Sequence, residues 1–137
     1  MKFPPKLAKE IQQRLDQAKV FYPSAVSSDG KAVCIEGGIG SENYVSPDGD
    51  VYVETYDLST GEPSGIDRSR PAQIAVLVTG SSIIPGLAEM LPKRPPEAPA
   101  CGKCDGSGWL LRELFSSSAA EQGIICDKCA GLGWIEL

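Results

Sequence analysis

Apolar residues recur at helical spacing near the start of the chain. Leu7, Ile11, Leu15 and Ala18 fall on one face, with Lys6, Lys9, Glu10, Gln13 and Arg14 left for the wet side. This period predicts an amphipathic helix over residues 5–19, opened by Pro4-Pro5 and ended before Pro23, because proline disfavours helical geometry in the residue ahead of it. The period then shortens. Ala32-Val33-Cys34-Ile35, Glu42-Asn43-Tyr44-Val45 and Val51-Tyr52-Val53-Glu54-Thr55-Tyr56 are short β-prone runs separated by turn residues, and they predict a small antiparallel sheet. Ser46-Pro47-Asp48-Gly49-Asp50 reads as a hairpin connection, with proline presetting φ and Gly49 free to take positive φ. Along the third run Val51, Val53 and Thr55 share one face, expected in the core. Tyr52, Glu54 and Tyr56 share the other, expected to be half exposed.

Ser69 as a cap and Pro71 in the first turn favour a helix through the apolar run Ala72 to Val78. A second short helix is expected from Pro85 to Leu91, stopped by Pro92. Lys93-Arg94-Pro95-Pro96-Glu97-Ala98-Pro99-Ala100 is dense in proline and should run extended as a spacer. The chain therefore divides into an α+β domain over residues 1–92, a linker over 93–100 and a small module over 101–137. That domain has an N-terminal helix, an antiparallel sheet and C-terminal helices.

The small module states one pattern twice. Cys101-Gly102-Lys103-Cys104-Asp105-Gly106-Ser107-Gly108-Trp109 returns 25 residues later as Cys126-Asp127-Lys128-Cys129-Ala130-Gly131-Leu132-Gly133-Trp134. Two Cys-x-x-Cys knuckles this close supply the four soft thiolates of a tetrahedral zinc site, with Cys101, Cys104, Cys126 and Cys129 as ligands and one structural Zn²⁺ per chain. The glycines at 106, 108, 131 and 133 permit the tight curl that points both sulfurs of a knuckle at one ion. Trp109 to Phe115 and Gly123 to Ile125 flank a soft stretch, so the two knuckles are expected at the base of an antiparallel zinc-stapled β-hairpin. A module this short cannot fold on apolar burial alone, and metal binding must supply much of its folding free energy. Trp109 and Trp134 hold equivalent places in the repeat. Either they cover the metal, or with Leu111 and Phe115 they form an apolar surface that grips polypeptide.

The repeat resembles the cysteine-rich zinc module of DnaJ-type co-chaperones, whose signature is Cys-x-x-Cys-x-Gly-x-Gly; both copies match every fixed position. Those proteins usually carry four copies and two zinc ions, so two copies correspond to half a module and one ion. The chain contains no His-Pro-Asp tripeptide. The resemblance implies zinc binding and contact with another protein or with unfolded polypeptide. The helix, sheet and helix order of residues 1–92 loosely resembles the SUKH superfamily of bacterial toxin-immunity proteins, which implies an acidic surface that neutralises a basic partner.

Composition narrows the functions. The chain of 137 residues has no histidine, which removes Ser-His-Asp triads, Cys-His dyads and zinc sites with histidine ligands. Four thiolates leave no coordination position open for water, so the expected role is structural and non-enzymatic. The net charge is −5, and residues 41–67 carry seven acidic residues with no basic one, which argues against a nucleic-acid partner. Lys103 and Lys128 stand beside the ligands, where they would offset the charge of a tetrathiolate ion. The N-terminal stretch lacks an apolar signal core and no run is long enough to span a membrane, giving a cytoplasmic expectation in which paired Cys-x-x-Cys motifs favour metal over disulfide. The competing reading is a thiol-disulfide centre or redox-switched protein, since Cys-x-x-Cys can also lower a thiol pKa and supply a resolving partner. Cys34, inside an apolar run, is expected to be a buried strand residue without a catalytic role.

Overall fold

The computed structural model describes residues 2–38, 41–110 and 124–136. They form two compact units, Met1–Met90 and Leu91–Leu137. The first is an α+β unit with helix α1 (Pro5–Phe21), strands β1 (Val33–Gly38), β2 (Ser41–Val45), β3 (Val51–Tyr56) and β4 (Pro63–Asp67), helix α2 (Arg70–Gly80) and 3₁₀ helices over Pro23–Ala25 and Pro85–Met90. The sheet is an antiparallel meander in the order β1-β2-β3-β4.

Helix α1 buries the four residues that its period selects, Leu7, Ile11, Leu15 and Ala18. It runs two residues past the expected end and is closed by the Tyr22 amide donating to the Ala18 carbonyl at 2.8 Å, ahead of Pro23. In α2 the Ser69 hydroxyl accepts from the Ala72 amide at 3.4 Å, capping the first turn. This helix buries Ala72, Ile74, Val76 and Leu77, and its last residue, Gly80, brings it close to the sheet. A Cβ at Gly80 would lie 2.1 Å from Ile35 Cδ1 and 2.7 Å from Leu87 Cδ1. The core sits where the helices cover one sheet face, with Val33, Ile35, Val45 and Val51 of the sheet buried together with Ile11, Val76, Leu77, Ile84 and Leu87.

Register places the other face. The turn after β2 is closed by the Ser46 amide on the Asp50 carbonyl at 2.9 Å, with Gly49 at φ 99°. This sets Val45 opposite Val51, Tyr44 opposite Tyr52 and Glu42 opposite Glu54. Because side chains alternate along a strand, Tyr44, Tyr52, Glu42 and Glu54 share the face away from the helices. Tyr44 and Tyr52 stack with centroids 5.3 Å apart and are buried with Ala32 and the half-buried Cys34. The Arg68 guanidinium lies 4.7 Å from the Tyr52 ring centre and makes two 2.9 Å hydrogen bonds to Asp50. The face expected to be half exposed is thus aromatic and largely covered at its β2–β3 turn end, while Glu42 and Glu54 lie at the other.

Strand β4 is absent from the sequence expectation. Pro63-Ser64-Gly65-Ile66-Asp67 has no apolar alternation, and all five residues are exposed. Only its pairing with β3 makes it a strand, with Pro63 as first residue of an edge strand, where a missing amide is tolerated.

In the second unit, strand β5 (Trp109–Leu110) pairs antiparallel with β6 (Ile124–Ile125). Residues 93–100 are more than an extended spacer. The Ala98 amide closes a turn on the Pro95 carbonyl at 3.1 Å, the Arg94 guanidinium donates to the Ala98 carbonyl at 3.1 and 3.4 Å, and Ala98 is buried. Ala100 then bridges to Trp134, and the Ile135 amide donates to the Pro99 carbonyl at 2.9 Å. Among the described residues no helix is long and apolar enough to cross a membrane.

Candidate metal centre

Each knuckle winds its backbone back on itself. In the first, the Gly106 amide donates to the Cys101 carbonyl at 3.0 Å and the Ser107 amide to the Cys104 carbonyl at 3.1 Å; in the second, the Leu132 amide reaches the Cys129 carbonyl at 3.1 Å. Such winding drives residues into left-handed geometry. Gly106, Gly108, Gly131 and Gly133 have φ between 79° and 93°, and the residues before the first glycine of each pair follow, Asp105 at φ 54° and Ala130 at φ 55°.

The two knuckles then lock together reciprocally. The Cys126 amide donates to the Gly108 carbonyl at 2.9 Å, and the Cys101 amide donates to the Gly133 carbonyl at 3.0 Å. A Cβ on Gly108 would stand 2.4 Å from the Gly131 carbonyl oxygen, and one on Gly133 would stand 2.5 Å from that of Gly106. The repeat in sequence is therefore a repeat in space, each half supplying the same bond and the same close backbone approach. The expected role of the glycines was positive φ alone. The closer constraint at Gly108 and Gly133 is the opposing backbone, which pairs residues of two segments and leaves no trace in either knuckle read singly.

This docking brings Cys101, Cys104, Cys126 and Cys129 together, all four Sγ atoms lying within 4.8 Å of one another and all four residues buried. Across the knuckles, Cys101 and Cys126 sulfurs are 3.8 Å apart and Cys104 and Cys129 sulfurs 3.7 Å apart. The Gly108 amide points at Cys104 Sγ at 3.2 Å and the Gly133 amide at Cys129 Sγ at 3.3 Å. A backbone N–H aimed at sulfur favours the thiolate, the form that binds metal. Burial acts against ionisation at Cys104, but the Gly108 amide and the neighbouring thiols outweigh it and bring that group down to about 7. At Cys129 burial wins and pushes the thiol up to about 11. Cys104 and Cys129 thus differ in how readily they ionise, and a bound cation would favour the thiolate at both.

Four sulfurs in this arrangement can hold a metal ion, and Leu132 and Ile135 pack against them. Lys103 spans the knuckles, its ammonium 2.6 Å from the Asp127 carboxylate, so its charge is shared with that group as well as the sulfurs. Trp134 is buried at 8% exposure and Trp109 begins β5. Leu111 and Phe115 lie outside the described residues. No family model, curated protein or solved structure matches this chain.

Proposed function

We propose that the second unit is a structural zinc module and that the protein works without catalysis, as a protein-interaction or chaperone-like module that contacts another polypeptide. The observation that carries the metal reading is the sulfur spacing. Thiolates about 2.3 Å from a tetrahedral ion stand about 3.8 Å from one another, and the two cross-knuckle separations are 3.8 and 3.7 Å. The donor set of four cysteines with no histidine suits a closed site in which the ion staples two segments and activates nothing. The DnaJ-like repeat supports a polypeptide as partner, and the acidic balance of the chain supports protein over nucleic acid.

Metal content and thiol count on protein purified without added metal test the first half. One zinc per chain with about one titratable thiol is expected; metal-free protein with oxidised Cys-x-x-Cys pairs would move the reading to thiol-disulfide chemistry. Fluorescence anisotropy of a labelled, permanently unfolded polypeptide tests the second half. Saturable binding by the zinc-loaded chain is expected, and binding indifferent to zinc removal would dissociate the module from that role.

A further inference from the structure

We propose that the face of the four-stranded sheet turned away from α1 and α2 is a docking surface for a basic polypeptide segment, with a Lys or Arg side chain of the partner seated between Glu42 and Glu54. The face is hollowed into a cavity of about 550 Å³ between Ser24–Ser28 and the β3–β4 connection. Its floor holds Glu42, Tyr44, Glu54 and Tyr56, and its walls include Val26, Leu58 and Pro63. Glu42 and Glu54 are direct cross-strand partners. Like charges at such a position destabilise a sheet, and an opposite pair is the stabilising arrangement. Among the described residues no Lys or Arg lines the cavity. The repulsion between the two carboxylates is therefore uncompensated by any cation of the cavity itself.

The carboxylates are also held in place. The Tyr44 hydroxyl donates to Glu42 Oε2 at 2.7 Å, and the Tyr56 hydroxyl lies 3.2 Å from the same oxygen and bonds Glu54 Oε1 as well. Among the described residues this leaves Glu42 Oε1 and Glu54 Oε2 free to accept. Burial and then the Glu54 carboxylate push the Tyr56 phenol up to about 12, so both hydroxyls stay protonated and act as donors across the neutral range. Two fixed acceptors between apolar walls suit an ammonium or guanidinium on an aliphatic stem, which can lay its methylenes along Val26 and Leu58. A bare divalent ion fits less well, since calcium takes six to eight oxygens and would leave most of the volume empty.

The surface continues past the cavity, which favours a polypeptide over a small amine. Leu58 is 75% exposed, and Ile66, the cross-strand neighbour of Glu54 on β4, is 51% exposed. Asp57 lines the cavity and Glu62 lies beside Pro63, extending the single sign of charge. A basic segment with apolar residues between its cations matches this sequence of groups, and its association should be steered by charge and weakened by salt.

The test is an amide NMR titration of the full chain with the peptide acetyl-Gly-Arg-Leu-Lys-Gly-Arg-amide, with agmatine and with calcium chloride. Saturable shifts at residues 24–28, 42–44 and 54–63 are expected with the peptide. Binding should weaken at least tenfold in Glu42→Gln and in Glu54→Gln, while the thermal midpoint of each variant holds or rises because a like-charge contact has gone. Leu58→Ser should weaken the peptide and leave agmatine unaffected. No saturable shift with the peptide, or shifts unchanged in both glutamine variants, would overturn the proposal. Agmatine binding as tightly as the peptide would replace it with a small-amine site, and saturation by calcium alone with a metal site.

Discussion

Replacing Gly108 by alanine tests whether the proposed zinc site depends on the four cysteines alone or also on the backbone fit between the knuckles. Gly108 has φ +83°, and an added Cβ would meet the Gly131 carbonyl oxygen at 2.4 Å and its carbon at 3.0 Å. Both are backbone atoms, so no rotamer change relieves the contact. Holding an L-residue in left-handed geometry costs about 1–2 kcal/mol, and forced overpacking about 1–3 kcal/mol. Together that is about 2–5 kcal/mol, or roughly 30-fold to several-thousandfold in zinc affinity where folding and metal binding are one step. Two neighbouring glycines separate the contributions. Gly106 has φ +79°, but its nearest neighbours lie at 3.8 Å, so Gly106→Ala should show the backbone cost alone. That is about 1–2 kcal/mol, roughly five- to thirtyfold. Gly102 has nothing within 4 Å and no positive φ, so Gly102→Ala should bind as the parent does. Competition of each variant against a chromophoric chelator gives the three affinities. A Gly108→Ala protein that holds zinc as tightly as Gly102→Ala would refute the interlock.

Replacing Cys104 or Cys129 by serine should abolish zinc binding and unfold the second unit, while the amide dispersion of residues 5–90 is retained; full zinc stoichiometry in either variant would contradict the ligand assignment. Ile11 is fully buried, so Ile11→Ala should cost about 2–5 kcal/mol in urea unfolding of the first unit, and a loss below 1 kcal/mol would mean that α1 is not in the core. The Ser46 hydroxyl holds the Asp48 carboxylate below its usual range, and the Ser27 hydroxyl does the same for Asp29. A depressed folded pKa contributes stability that is complete above the unfolded value near 4 and is lost as pH falls through the folded value. The first unit should therefore weaken on acidification below about pH 4, and Ser46→Ala should flatten that slope; an unchanged slope would remove Asp48 from the cause.

How much could be read in advance follows from how local each signal is. Helix α1 was legible because its apolar period, its opening prolines and Pro23 lie within one stretch, and the hairpin at Ser46–Asp50 because its turn chemistry is equally local. The clustering of the four cysteines was legible because two Cys-x-x-Cys pairs in one short segment form a pattern that few roles other than metal ligation require. Strand β4 was not, since Pro63 and Gly65 oppose strand formation and pairing with β3 decides the outcome. The displacement at Ile35, where β1 shifts register between Cys34 and Glu36, likewise depends on the partner strand. Trp134 is buried, and its bridge to Ala100 draws the end of the proline-rich stretch into the second unit, which composition alone did not indicate.

The spacing of glycines after each knuckle carries as much information as the spacing of cysteines. A Cys-x-x-Cys pair can offer two sulfurs to an ion on many backbones, but the second pair must arrive at about 3.8 Å for a tetrahedron to close. Here that arrival is set by two amide-to-carbonyl bonds, Cys126 to Gly108 and Cys101 to Gly133. Each passes over a glycine that a side chain would push away. The last glycine of each Cys-x-x-Cys-x-Gly-x-Gly unit therefore serves the opposite knuckle, and it also directs an amide at its own second cysteine. A sequence with the four cysteines but with bulky residues at positions 108 and 133 would lose both the docking bonds and those amide-to-sulfur bonds. It would hold a metal loosely or draw in a ligand from elsewhere, even though a count of cysteines would judge it equivalent.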